Sequence, residues 1–221
     1  MKARKLVIAI ALFFIATGIL PAQEPTTTWP YVFRDFKDCT IYFKKGNKLD
    51  HLANIHLLKS QLHYVEKGSV MQANIGEILM VVFGDTHYMN ISNSLMKIVA
   101  ENKSTLVAKQ VEIDFSRLNE TTAAYGVPAS TASTKALTSL EGIGSITNHM
   151  MQTADKDNGK PLILSEKYFI VTNGATYPAD KKMLEKILPE DKKAAFKTFV
   201  KQNKIKWTDP QSILKLGEFF K

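Results

Sequence analysis

The sequence predicts an α+β protein. An antiparallel β-hairpin meander, forming a small barrel or sandwich, is followed by a hairpin sheet and three short C-terminal helices. Three observations predict this. Short apolar runs alternate with turn-forming clusters from Cys39 to Phe115. Asn173-Gly174 stands between two further apolar runs, the strongest short hairpin signal in the chain. Beyond Asp180 the apolar spacing changes to helical stripes.

The chain opens with a charged head, Lys2, Arg4 and Lys5, and then an unbroken apolar run from Leu6 to Leu20. That run is short of the roughly 20 residues a membrane span needs. Leu20-Pro21-Ala22 offers a small-residue exit before a polar stretch. Residues 1–22 therefore read as a secretory signal peptide cut after Ala22, with no transmembrane span in what remains. No cysteine follows the run to carry a lipid. The only cysteine is Cys39, so an exported chain has no internal disulfide and its core must supply the stability. Cys39 begins an apolar run and reads as a buried structural residue.

Residues 23–38 form a polar leader, with Trp29 and Pro30 placed to dock on the following domain. Residues 39–115 read as a β-rich domain. Its segments are CTIYF, LDHLANIHL, QLHYVEK, SVMQAN, ILMVVF, THYMNI, SLMKIVAEN and TLVAKQVEIDF. Gly84-Asp85 suits a type II′ hairpin turn, because glycine tolerates positive φ at the first position. Residues 116–143 are rich in Ser and Thr and read as a linker or loop. Residues 144–221 carry β-hairpins and a basic helical end. SITNHMMQ and LILSEKYFIV are strand signals, Asn173-Gly174 asks for a type I′ turn, and Pro178 ends the returning strand. Asp180 can cap a helix with the stripe Met183, Leu184, Ile187 and Leu188. Pro189-Glu190-Asp191 starts a second helix with Ala195, Phe196, Phe199 and Val200 on one face. Thr208-Asp209-Pro210-Gln211 starts a third, with Ile213, Leu216 and Phe220.

Charge is uneven along the chain. The formal net charge is +8, of which the first 22 residues hold +3. Residues 181–221 hold eleven Lys against five acids, net +6, while residues 23–180 are close to neutral at −1. Lys181, Lys182, Lys192, Lys193, Lys197, Lys201, Lys204 and Lys206 form the candidate contact surface for an anionic envelope component or a protein partner. Arg is absent from this segment, and export argues against nucleic acid as the partner.

Other chemistry is thinly supported. A two-residue turn at Lys59-Ser60 would set His56 opposite His63, on the wetter face of the hairpin, close enough to share a metal. With Asp85 and His87 they form the set a hydrolase or metal site would use. Asp155, Asp157 and Glu166 have some calcium-loop spacing, but Gly159 and Lys160 stand where a ligand and the loop glycine belong. Gly142-Ile143-Gly144-Ser145 is neither a nucleophile elbow nor a phosphate loop, and there is no HExxH. No cofactor is expected. Tyr42, Phe43, Tyr64, Tyr88, Tyr168, Phe169 and Tyr177 allow a glycan-binding alternative, which requires an exposed aromatic row. The expected role is a non-enzymatic binding or structural one.

Three stretches carry a family resemblance: YFKKGNKLDHLANIHLLKSQLHYV, ANIGEILMVVFGDTHYM and the long closing stretch from Lys167 to Trp207. The chain resembles small secreted proteins of Bacteroidetes-type bacteria that have no assigned function. The resemblance implies export to the periplasm or outer surface of a Gram-negative bacterium. It brings no catalytic residues with it.

Overall fold

A computed structural model of the chain describes residues 26–27, 29–114 and 162–220. Residues 1–22, the loop 116–143 and the strand signal 145–152 lie outside them. Among the described residues the fold is α+β, mainly one antiparallel sheet with three short helices.

The strands are β1 (Thr26–Thr27), β2 (Lys37–Phe43), β3 (Lys48–His56), β4 (Gln61–Glu66), β5 (Ser69–Gln72) and β6 (Ile78–Phe83). They continue as β7 (Thr86–Ile91), β8 (Ser94–Glu101), β9 (Thr105–Ile113), β10 (Leu162–Thr172) and β11 (Ala175–Pro178). The order across the sheet is β1-β10-β9-β8-β7-β6-β2-β3-β4-β5, with β11 also on β10. The eight strands predicted between Cys39 and Phe115 are therefore present as β2 to β9. The second hairpin does not form its own sheet. β10 pairs with β9 from Leu164↔Ile113 to Thr172↔Thr105, so the meander runs on into it. Sequence could not foresee this, because the partner strand lies far back along the chain.

Turn chemistry behaves as expected. Asn173 and Gly174 both have positive φ, 51° and 74°, as a type I′ turn requires. Gly84 has φ +55° and Asp85 is not among the positive-φ residues, as a type II′ turn requires.

The sheet curls. The β3–β4 turn, Leu57 to Ser60, reaches across to the far strands. Leu95 N donates to Ser60 O at 2.8 Å, Ser60 Oγ to Val111 O at 3.3 Å, and Ile113 N to Leu57 O at 3.3 Å. These bonds come from a turn and not from strand pairing, and among the described residues the edge strands β1 and β5 are not joined, so the sheet is not a closed barrel. Inside the curl lie Ile41, Ile55, Leu62, Ile78, Val81, Phe83, Tyr88 and Leu95. The leader completes this core. Val32 N donates to Ile55 O and Leu57 N to Pro30 O, while Trp29 and Tyr31 are buried.

The helices are α1 (Lys181–Ile187), α2 (Glu190–Gln202) and α3 (Pro210–Leu214), the last followed by a 3-10 turn at Lys215–Glu218. Asp180 caps α1, accepting from Met183 N at 2.8 Å, and Asp209 caps α3, accepting from Gln211 N at 3.0 Å. Leu184, Phe196, Ile213 and Leu216 bury completely against Val107 and Ile170 of the sheet. Each such side chain contributes roughly 1.5–3 kcal/mol of hydrophobic stabilisation. Gly217 lies against Thr105 so closely that an added Cβ would sit 2.2 Å from its Oγ1.

Candidate functional site

The basic helical end presents most of the predicted surface. Lys181, Lys182, Lys192, Lys197, Lys201, Lys204 and Lys206 are exposed, and Lys186 joins them. Lys193 departs from the expectation: it is half-buried and ion-paired to Glu190 one turn earlier. The α1 stripe also departs from it. Leu184 and Leu188 are buried, but Met183 and Ile187 are 54% and 53% exposed. Leu188 is the extended C-cap outside the seven-residue helix, and of the three apolar positions on the helix only Leu184 packs inward. Met183 and Ile187, four residues apart, therefore face solvent beside Lys181, Lys182 and Lys186.

The histidines are placed differently from the sequence expectation. β3 pairs with β4 in the register Ile55↔Leu62, so His56 opposes Gln61 and His63 opposes Asn54. The turn holds four residues instead of two, because Lys-Ser is a poor pair for a primed turn and Ser60 alone takes positive φ, 48°. His56 and His63 still meet, as diagonal neighbours, with rings stacked at 4.8 Å and 15°. They are not on a wet face. Both are buried beneath the leader, where the Tyr31 hydroxyl bonds His63 Nδ1 at 2.8 Å and the Tyr31 ring lies edge-on to His56 at 4.9 Å.

Asp85 and His87 are elsewhere, and both are exposed. His87 aligns through Val82 and Thr40 with Asp50 on β3. That is three strands from β3 and six residues, about 20 Å, along it from His56. Among the described residues no group of three or more His, Cys, Asp or Glu is placed to hold a metal ion. Glu166 lies on β10, bonded to Lys109 at 2.8 Å, while Asp155 and Asp157 lie outside the described residues.

Cys39 is buried, as expected, and burial pushes its thiol up to about 11. The described tyrosines make no solvent-facing row. Tyr31 and Tyr88 are buried, and Tyr42, Tyr64, Tyr168 and Tyr177 are half-buried. Tyr177 stacks on Phe220 at 4.2 Å. Burial also raises the Tyr88 phenol to about 12.

One feature had no sequence signal. A cavity of about 310 Å³ lies between the curled limb and β8–β10, lined by Tyr31, Ile55, Leu57, Tyr88, Leu95 and Lys97, with Lys109 and Val111 among the remaining walls. Strand alternation does place Lys97 and Lys109 on a definite face, but only pairing and curl identify that face as the inner one.

No protein-family model, no curated protein and no solved structure matches this chain.

Proposed function

We propose that the chain is an exported, non-enzymatic envelope protein that docks on an anionic lipid surface through its helical end. The observation that carries the reading is the exposed Met183–Ile187 pair set among lysines. Two apolar side chains left in water are unfavourable for an isolated helix face. Placed at the boundary of headgroups and acyl chains they become an anchor, and surrounding lysines add attraction to anionic lipid. Each lysine near such a surface contributes about 1 kcal/mol, screened by salt. Seven exposed lysines of the predicted surface, with Lys186, bring the charge to one end of the molecule. The separation of His56 and His63 from Asp85 and His87 favours a binding role over a hydrolase. None of the described tyrosines is fully exposed, which disfavours the glycan reading and its solvent-facing aromatic row.

The test is vesicle co-sedimentation of residues 23–221, which omit the leading apolar run. Vesicles of phosphatidylglycerol and phosphatidylcholine should bind the chain, and phosphatidylcholine alone should not. Raising salt to about 1 M, where the Debye length is about 3 Å, should release it. Equal binding to neutral vesicles, or binding indifferent to salt, would sink the reading.

A further inference from the structure

The inner face of the sheet carries a cation pair, with Leu95 and Val111 in the next row opposite Asn90 and Glu166. Register sets Tyr88 beside Lys97 and Lys97 directly opposite Lys109. Leu95, Val111 and Leu164 follow on the same face. Like charges directly opposite one another destabilise a sheet. Glu166 compensates Lys109, accepting from its ammonium at 2.8 Å. Among the described residues Lys97 has no ion pair. It is half-buried, in surroundings where an ammonium gains from a counter-charge.

Both lysines line the cavity of about 310 Å³. Among the described residues its other walls, apart from Tyr31 and Tyr88, are Val32, Ile55, Leu57, Leu95, Val111 and Leu164. A concave site with aliphatic walls and a small set of convergent polar groups is the usual form of a small-molecule site. At roughly 30 Å³ for each water-sized group, the space takes about ten methylene-sized groups. That is too little for both tails of a two-tailed lipid.

We propose that this cavity binds a single-chain alkyl anion, its tail among Leu57, Leu95, Val111 and Leu164 and its anionic head on Lys97. Lys97 supplies the charge and Lys109, held by Glu166, completes the cationic side. Tyr88, a phenol neutral at physiological pH, lines the cavity with a hydroxyl and not a competing negative charge. Carboxylate and phosphate heads share the chemistry the site recognises. The site is apart from the helical surface and independent of membrane docking.

Titration calorimetry of the full chain with decanoate, decyl phosphate and decanol tests this. At least one anion should bind one-to-one and at least tenfold tighter than decanol, and the tighter of the two identifies the head. Lys97→Gln should remove that advantage, and Lys181→Glu/Lys182→Glu should leave it intact. The apolar run Leu6–Leu20 is common to every variant, so a Lys97-dependent difference reports the cavity. Comparing anions with decanol needs no variant, so folding defects cannot obscure it. Failure of both anions to bind, decanol binding as tightly as they do, or an unchanged preference in Lys97→Gln would overturn the proposal.

Discussion

Gly217→Ala should loosen the helical end from the sheet. The added Cβ would lie 2.2 Å from Thr105 Oγ1, 2.6 Å from its Cγ2 and 2.8 Å from its Cβ. Thr105 cannot swing aside cheaply. It is a buried β-branched residue at the start of β9, and its hydroxyl donates to Thr172 Oγ1 at 3.1 Å. Overpacking of this kind costs about 1–3 kcal/mol, and loss of the Thr105–Thr172 bond adds about 1 kcal/mol. The expected total is about 2–4 kcal/mol, or roughly 4–16 °C in melting temperature for a chain of this size. Thermal unfolding followed by circular dichroism measures it. Thr105→Ala in the same chain removes Oγ1 and Cγ2 and should recover part of the loss, so the double-mutant cycle reports a favourable coupling. A Gly217→Ala chain as stable as the parent, or no coupling in the cycle, would refute the close packing of the 3-10 turn on β9.

Met183→Ser/Ile187→Ser should leave the melting temperature nearly unchanged, since both side chains are more than half exposed, and should weaken binding to phosphatidylglycerol vesicles several-fold; Leu184→Ala, at a fully buried site, should instead cost about 2–5 kcal/mol of stability. Lys181→Glu/Lys182→Glu should reduce both vesicle affinity and its dependence on salt, read by co-sedimentation over a salt series. Stability should fall as pH rises between about 9 and 12. Cys39 and Tyr88 are neutral when protonated and burial raises them to about 11 and about 12, so the folded state holds protons that the unfolded chain gives up. Melting temperature against pH measures this, and a flat profile across that window would contradict the burial of both groups. Tyr31→Phe should cost about 1 kcal/mol through loss of the hydroxyl bond to His63, checked by chemical denaturation.

The helical end was the most legible part of the fold, because its signals are local. Asp180 caps the helix that its position announced, the third helix is capped by Asp209 one residue after the Thr208 of the expected capping box, and Asn173-Gly174 makes the turn its backbone freedom allows. The leader was legible only in outline. Trp29 and Pro30 suggested docking, but nothing in the chain marked Tyr31 as one of its largest fully buried side chains. The candidate sites were less legible still. Choosing the wrong length for the β3–β4 turn moved the register by two residues, which kept His56 and His63 on one face but misplaced their partners. The α1 stripe was visible, yet which half of it would pack depended on where the sheet ends.

Alternation of apolar and polar residues, glycine and asparagine at turns, and acids at helix starts were enough to establish an antiparallel meander with three short helices, and lysine counts alone put the positive charge at one end. These are effects of neighbours in the chain. The joining of β10 to β9, the curl that brings Ser60 to Leu95 and Val111, and the exposure of Met183 and Ile187 came only with folding. So did the placing of Lys97 and Lys109 in one cavity. Each depends on contacts between residues far apart in sequence, whose free energies are settled by packing the whole molecule and leave no periodic trace in any one segment.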